Sequence, residues 1–368
     1  MMVRVAAALA LLGSIAPGLS AQGRAVVGPI SVAEAQEVVS KLVESYGVSG
    51  SEGPVRDVVR SMLPSWARPN VDSAGNLWVV AGLGAPKVVF IAHLDEIGFD
   101  VTAIRDDGTL DLRTRGGFIG SLYEAQPALI HLGATTIPAV FPPRDSIGAT
   151  PRRSPGAIRA DPGTGSRAAT EALGVKVGST LTMPKSYARL VGTRATGRSF
   201  DDRVGSAALV LAVRRIDPRA LRHGVAFVWS TREEIGLEGA AAVADSLKDG
   251  PAVVLAIDTF VSSDSPLELT NFALARLGLG PVARAVDNSS VTPPALVDSL
   301  VALARRRGIP FQTGATNGGN DGSTFAAYGV PDAAMGWPLR YSHSPAEVID
   351  LKDLVGLARM VEAVANSW

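Results

Sequence analysis

The chain has 368 residues and 46% of them are apolar, which is enough for one large domain or two smaller ones with an ample core. Its 35 basic and 35 acidic side chains cancel, so composition gives no electrostatic reason to bind nucleic acid or an anionic membrane. The chain contains no cysteine, which excludes disulfides, thiolate nucleophiles and Cys-ligated zinc.

The first residues have the order of charge and hydrophobicity that is typical of a secretory signal. Arg4 precedes an apolar run, and small residues follow it up to Ala21. Pro17 and Gly18 interrupt the run, which makes it too short for a membrane anchor. We therefore expect a signal peptide at residues 1–21 and an exported protein, periplasmic or extracellular.

Residues 22–105 predict two helices followed by three strands. Ser31 and Glu34 form a capping box at the start of the first helix. The strands are expected in runs that are rich in β-branched residues and separated by Gly and Pro, at 76–82, 87–93 and 97–104.

The pattern changes over residues 106–190, where short β runs alternate with turn signals. This predicts an inserted small β domain, a barrel or PDZ-like unit, with a mobile Pro/Arg-rich loop at 142–157. From residue 191 to 368 strands and helices alternate again. We therefore predict an α/β fold, a mixed sheet sandwiched by helices, formed by 22–105 and 191–368 and interrupted by the insertion.

Four histidines can be weighed one by one. His93 ends a predicted strand, and Asp95 two positions on points to the same side, where it could orient the imidazole. A buried histidine bonded to a neighbouring acid explains that pair equally well. His343 lies in an irregular stretch and is by itself typical of a loop histidine. His131 and His223 lie in or beside β runs without adjacent acids, so we expect structural roles for them.

Acidic residues stand at the ends of three further apolar segments. Asp201 and Asp202 precede a helix, Glu233 and Glu234 follow a strand, and Asp258 ends another strand. Carboxylates that converge at the carboxyl edge of a sheet repel one another unless cations neutralise them. Imidazoles and carboxylates without thiolates suit two divalent metal ions, zinc above all, although cobalt or manganese would also fit. One glutamate of the pair could be a ligand and its neighbour a general base, although a solvated turn is the commoner fate of such a pair.

Six motifs occur in order along the chain: AHLDEIGF, FDDRVG, TREEIGLEGA, AIDTF, NDGSTF and YSHSP. Together they resemble the tetrahedral, or glutamyl-type, aminopeptidases of the co-catalytic metallopeptidase clan MH, from about Val38 to the C-terminus. About 100 residues separate the first motif from the second. Simpler exopeptidases of the clan have a short segment there, and its carboxypeptidases and deacylases carry their extra domain later. The resemblance implies the phosphorylase/hydrolase-like metallopeptidase core.

The resemblance also implies a role for each candidate residue. The metal ligands would be His93 and Asp258 for one ion, Glu234 and His343 for the other, and Asp201 for both. Glu233 would be the general base, and Asp95 would orient His93. In this clan the peptide bond after the bridging aspartate is typically cis.

We therefore expect an exported di-metal aminopeptidase that removes N-terminal residues from short peptides. Two alternatives stay open: a metal-dependent deacylase or carboxypeptidase on the same core, and a binding protein with a vestigial metal site. An endoglucanase is not supported, because no pair of flanking acids with aromatic sugar platforms is evident. The resemblance further implies a homo-oligomer, a hollow dodecamer in which the inserted domain carries subunit contacts and controls substrate access.

Overall fold

The computed structural model describes five stretches of the chain: 28–133, 135–143, 158–248, 250–265 and 274–367. The signal peptide expected at 1–21 lies outside the described residues, as do residues 144–157 of the expected mobile loop. No helix in the described stretches combines the length and the apolar character that crossing a membrane requires.

The described residues form seven α-helices and two 3₁₀ helices. The α-helices are α1 Val32–Val43, α2 Gly53–Met62, α3 Arg167–Ala172, α4 Phe200–Val213, α5 Glu238–Leu247, α6 Pro294–Arg307 and α7 Leu351–Ser367. The 3₁₀ helices are Gly120–Tyr123 and Asp321–Tyr328.

Nineteen strands lie in the same stretches. They are β1 Asn70–Val71, β2 Leu77–Ala81, β3 Pro86–His93, β4 Gly98–Ile104, β5 Leu110–Arg115, β6 Gln126–Leu132, β7 Thr135–Phe141, β8 Arg159–Ala160, β9 Thr180–Thr182, β10 Tyr187–Arg189, β11 Arg194–Gly197, β12 Gly224–Ser230, β13 Val253–Ala256, β14 Phe260–Val261, β15 Val282–Val286, β16 Gln312–Ala315, β17 Met335–Gly336, β18 Pro338–Leu339 and β19 Glu347–Asp350.

The central sheet is mixed and has the strand order β1-β2-β12-β3-β13. β3 runs parallel to both of its neighbours, β12 and β13, while β2 pairs antiparallel with β12. Single bridges, Ile257 to Met335 and Val254 to Asp332, connect β13 to a smaller sheet of order β16-β15-β17. All seven residues of β12 are buried, as expected for a strand that is covered on both faces.

Helices cover both faces of this sheet, and β3 shows why. Phe90 and its alternate neighbours on β3 pack into one apolar cluster with α1, α4 and α7. Ile91 and Val89 point to the other face, where they pack with α5 and the 3₁₀ helix Asp321–Tyr328. The predicted α/β architecture, a mixed sheet between helices, is therefore confirmed.

The inserted strands form a second sheet of order β7-β6-β9-β4-β5-β8. Val140 and Asp161 exchange two backbone hydrogen bonds of 2.9 and 2.8 Å, which connect β8 back to β7. The sheet is thus a nearly closed barrel around its own apolar cluster, which includes Phe99, Tyr123 and Phe141.

The edges of the barrel differ from the predicted boundaries at 105/106 and 190/191. β4 was predicted with the catalytic part, but it pairs with β5 and β9, and its Phe99 and Val101 point into the barrel. β10 was predicted in the insertion, but it pairs with β11, which pairs in turn with β19 of the α/β part. A strand pattern in sequence does not specify the sheet that the strand joins, because pairing partners are distant in the chain.

Candidate active site

Three adjacent parallel strands bring most of the candidate residues to one edge of the central sheet. His93 is the last residue of β3, Glu233 and Glu234 follow the end of β12, and Asp258 follows the end of β13. β3 lies between the other two strands, so their carboxyl ends are side by side. This edge is where open α/β sheets bind ligands.

Asp201 reaches the same edge from the start of α4. Its backbone and that of Asp202 are not helical, and the peptide bond between them is cis. Asp202 accepts hydrogen bonds from the backbone N–H groups of His93, at 2.9 Å, and Gly205, at 3.0 Å. Asp202 thereby joins the first turn of α4 to the end of β3 and leaves Asp201 to face the candidate cluster.

The two histidines lie on opposite sides of Asp201. His93 Nε2 is 3.3 Å from Asp201 Oδ1, and His343 Nε2 is 3.4 Å from Asp201 Oδ2. His343 Nε2 is also 3.3 Å from Glu234 Oε1, whereas His93 Nε2 is 3.9 Å from Glu233 Oε2. Each glutamate of the pair is therefore directed toward a different imidazole.

These side chains form donor groups of a size that a metal ion can bridge. In each group the donor atoms lie within 4.8 Å of one another, and two groups share Asp201: His93, Asp201 and Asp258, and Asp201, Glu234 and His343. A third group joins His93 to both glutamates. All the donors are nitrogen or oxygen, so the residues fit borderline divalent ions.

The pKa values of two carboxyl groups in the cluster are raised, as expected where several buried acids lie close together without cations. Burial raises the pKa of Glu233 well above its usual range, and the carboxylates of Asp258 and Glu234 raise it further. Burial likewise raises the pKa of Asp258 to about 6, even though the Arg284 guanidinium beside it acts to lower it. Positive ions would relieve this repulsion.

The imidazoles show the converse effect. Burial by itself would lower the pKa of His93, but Glu233 and Asp201 raise it above the usual value. Burial acts the same way on His343, whose pKa is nevertheless raised by Glu234 and Asp201. The two histidines in turn hold the pKa of Asp201 well below its usual range, against the effect of burial. The same carboxylates that favour a positive charge on these imidazoles would also attract a bound cation.

Asp95 has a wider role than the predicted orientation of His93. Its Oδ1 is 3.5 Å from His93 Nδ1, which matches the expected contact. It also accepts hydrogen bonds from the backbone N–H groups of Glu233 at 3.0 Å and Glu234 at 3.1 Å, and from Ser49 Oγ at 2.6 Å. One carboxylate therefore lies beside a histidine and holds the turn that carries both glutamates.

Arg284 on β15 is a site residue that the motif analysis missed. Its Nη1 lies 3.1 Å from Asp258 Oδ2 and donates to the carbonyl of Thr259 at 2.8 Å. Its Nη2 lies 2.9 Å from Asp287 Oδ2 and donates to the carbonyl of Gly319 at 2.8 Å. A basic residue inside the apolar run of β15 was the available signal, because a buried cation requires acidic partners.

The cluster opens into a cavity of about 560 Å³. Its lining comes from both the α/β part and the barrel: His93, Gly117, Phe118, Ile119, Leu122, Asp201, Glu233, Glu234, Leu237, Asp258, Thr259, Val261, Arg284, Asn317, Gly318, Gly319, Ser342 and His343. His131 and His223, which were expected to be structural, do not line it. His131 instead pairs with Thr182 Oγ1 at 2.8 Å and lies against the Tyr46 ring, with ring centroids 5.0 Å apart.

A helix-covered mixed sheet, an inserted barrel and a carboxylate–histidine cluster at the sheet edge together define an α/β peptidase. The family model of the M42 glutamyl aminopeptidases matches residues 75–360, and the chain belongs to this family. The family that the sequence motifs resembled is thereby confirmed, and with it the aminopeptidase class.

Relatives match over nearly the whole chain. Putative aminopeptidase FrvX of Escherichia coli (strain K12) is 29% identical over 339 residues, which cover 88% of this chain and 93% of FrvX. The structure of PhTET1-12s, a dodecamer, has a TM-score of 0.83 and 32% identity, covering 90% of this chain and 99% of its own. The Pyrococcus horikoshii TET1 peptidase, which can assemble into a tetrahedron or a large octahedral shell, has a TM-score of 0.83 and 31% identity. That match covers 92% of this chain and 100% of the relative.

Proposed function

We propose that this protein is an exported, metal-dependent aminopeptidase that hydrolyses the N-terminal residue of short peptides. The observation that carries the proposal is the pair of donor groups that share Asp201, with Glu233 beside them in an accessible cavity. Membership of the family supports the aminopeptidase class. The number of ions, the peptide substrates and export are the parts that we add.

Five side chains would hold two divalent ions, for which zinc is favoured and cobalt or manganese is suitable. One ion would be held by His93 and Asp258, the other by Glu234 and His343, and Asp201 would contribute to both. When bound, such ions supply Lewis acidity toward a carbonyl oxygen and a water molecule. Asp95 would keep His93 and the Glu233–Glu234 turn in position through the contacts described above.

Glu233 is the proposed general base. Its carboxylate lines the cavity but is 3.9 Å from His93 Nε2, farther than the contacts of Glu234 and Asp201 with their imidazoles. In the proposed reaction it accepts a proton from the attacking water and delivers it to the leaving amine.

The proposed assembly is a homo-oligomer in which the barrel makes subunit contacts. It rests on relatives that are described as a dodecamer, a tetrahedron and an octahedral shell. A hollow dodecamer would admit short peptides to an interior lined by active sites. The PDZ-like character expected for the barrel, and export through the signal peptide at 1–21, belong to the same proposal.

The test is turnover of a panel of short peptides with free or acetylated N-termini, with and without a chelator. Loss of the first residue that is abolished by both chelator and acetylation supports the proposal. Cleavage that is indifferent to acetylation would instead indicate a carboxypeptidase or deacylase. No cleavage after zinc, cobalt or manganese is added back would favour a binding protein.

A further inference from the structure

The cavity beside the cluster has an apolar or uncharged lining at both ends. From this we infer that the enzyme prefers peptides whose first two residues are both apolar. The inference depends on the proposed aminopeptidase function, because that reaction places the first and second residues on either side of the cluster.

One end of the cavity is formed by the barrel. The carbonyl of Gly117 accepts a hydrogen bond from His343 Nδ1 at 2.7 Å, so this segment lies directly against the cluster. The next residues, Phe118, Ile119 and Leu122, line the cavity. Ile119 is 67% exposed and Leu122 is 46% exposed, and both are therefore available to a substrate side chain.

The segment that forms this apolar end is fixed by packing against the interior of the barrel. The Phe118 ring makes an edge contact with Phe99 inside the barrel, with ring centroids 5.1 Å apart, and a second contact with Tyr123 at 5.0 Å. Tyr123 is buried at the end of the 3₁₀ helix that carries Leu122. Aromatic packing of this kind holds Phe118 in place before a substrate arrives.

The other end lies next to Asp258. Thr259 and Val261 follow it in the chain and line the cavity, together with Gly318 and Gly319. Val261 is on β14 and is half-buried. Val261 and Thr259 offer methyl groups and one hydroxyl, the glycines offer backbone, and none of these groups carries a charge.

Among the described residues, the only charged lining group outside the predicted ligands and base is Arg284. It is 1% exposed, and its two terminal nitrogens face Asp258 and Asp287 as well as two backbone carbonyls. Its charge is therefore balanced by two carboxylates and both terminal nitrogens have partners, while its Nε is buried without one in the described part of the chain. An acidic or basic substrate side chain would find polar groups there, such as the Asn317 amide, but no unpaired charge of opposite sign among the described lining residues outside the predicted ligands and base.

The energetic consequence is a selection against charge at both positions. If the cluster holds the N-terminal amine and the scissile carbonyl, the first side chain is directed toward one end and the second toward the other. Burying an unpaired charge is costly, whereas burying apolar surface is favourable. One extra or missing methylene in an apolar pocket already changes kcat/KM by roughly 10-fold to 200-fold, so a charged side chain there should lower kcat/KM by at least about tenfold.

The experiment compares kcat/KM for leucyl-leucine with four dipeptides that carry one charge: glutamyl-leucine, lysyl-leucine, leucyl-glutamate and leucyl-lysine. We expect leucyl-leucine to exceed each of them by about tenfold or more. Equal or faster turnover of any charged dipeptide would overturn the inference while leaving an aminopeptidase in place. Cleavage of none of the five, with metal supplied, would contradict the proposed function itself.

Two variants test the two ends. Ile119→Lys and Val261→Lys should each raise the relative kcat/KM for a glutamate at one of the two positions, by about tenfold. The matched control is Leu83→Lys, an 81% exposed residue between β2 and β3, at the opposite end of β3 from His93. Ile119 is itself exposed, so its variant should fold even if the half-buried Val261 does not tolerate lysine. Ratios in Ile119→Lys that equal those of Leu83→Lys would contradict the assignment of the barrel end.

Discussion

Two adjacent glutamates follow a buried strand because one aspartate holds the backbone of both. Asp95 accepts the N–H groups of Glu233 and Glu234, and the two side chains then diverge toward different histidines. Glu234 contacts His343 at 3.3 Å, whereas Glu233 stays 3.9 Å from His93. Chemically identical residues thus acquire different surroundings, and this difference underlies the proposed roles of Glu234 as a ligand and Glu233 as the base.

Replacing Glu233 by Gln tests this division. Glutamine keeps the size of the side chain but accepts no proton, so kcat should fall by roughly 10²-fold to 10⁴-fold. The metal content by elemental analysis should equal that of the wild type. Glu44→Gln, at an exposed residue next to the end of α1, is the control and should leave kcat unchanged. Retained turnover in Glu233→Gln would remove the residue from the proposed reaction.

Asp332 should make the stability of the fold depend on pH. Burial raises its pKa to about 7, against hydrogen bonds from Ala256 N and Ser290 Oγ that act to lower it. The unfolded carboxyl loses its proton near the ordinary value of 3.8, so unfolding becomes easier as pH rises from about 4 to about 7.

Asp332→Asn removes this titration and should flatten that part of the profile. The difference between the melting temperatures of the variant and the wild type should increase, in favour of the variant, by at least roughly 2 °C between pH 4.5 and pH 8. A change of about 1 kcal/mol in the free energy of unfolding shifts the melting temperature of a large domain by that amount. Melting curves recorded in the presence of a chelator provide the measurement. Asp298→Asn, at an exposed position on α6, should follow the wild type at every pH. An unchanged profile in Asp332→Asn would show that this carboxyl is ionised in the folded state.

The elements around the site are joined by a second buried carboxylate, Glu96, just beyond β3. It accepts hydrogen bonds from Gly47 N at 2.8 Å and Ser199 Oγ at 2.8 Å. Three cations from different parts of the chain pair with it: Lys185, Arg198 and Arg203. Burial would raise the pKa of Glu96, but these cations hold it well below its usual range. The chain after α1, the segment leaving the barrel and the start of α4 therefore meet at the end of β3.

Glu96→Gln should destabilise the protein by about 3–5 kcal/mol, because it leaves buried cations without their counter-charge. For a domain of this size that corresponds to a fall in melting temperature of roughly 6 °C or more. Glu37→Gln is the control, since that side chain is 65% exposed and pairs with Lys41 in the same helix. If the melting temperature falls no further than that of the control, water or a local rearrangement must stabilise the cations that Glu96→Gln leaves unpaired.

The barrel and the α/β part meet at the cavity, so the insertion belongs to the site as much as to any subunit contact. Residues 117–122 come from the barrel and approach His343 and the cavity. A whole-molecule consequence is that assembly and substrate access would be linked, because the same insertion would serve both.

Native mass spectrometry and light scattering test the proposed assembly. We expect a particle of about twelve chains, by analogy with the dodecameric relative. The particle should persist over a hundredfold range of protein concentration, which separates a closed assembly from open-ended association. A monomer throughout that range would contradict the proposal and would leave the cavity open to longer peptides.

Local patterns were sufficient to predict the α/β class, the inserted β unit and the residues at the ends of β3, β12 and β13. His93, Glu234 and Asp258 were recognisable because burying an ionisable residue near the end of an apolar run costs free energy unless the residue has a partner. The first helix was predictable for a similar reason, since Ser31 Oγ does accept the N–H of Glu34 at 3.1 Å.

Long-range packing determined the rest. Arg284 lies 35 residues from Gly319, whose carbonyl accepts its hydrogen bond, and Glu96 lies 89 residues from Lys185, with which it pairs. Neither contact is evident in the sequence around either residue. β4 joined the barrel because Phe99 and Val101 fit its interior, a choice that no local pattern expresses. A sequence pattern indicates that burying an ionisable residue would cost free energy without a partner. The identity of that partner depends on which distant segments the fold brings within a few ångströms.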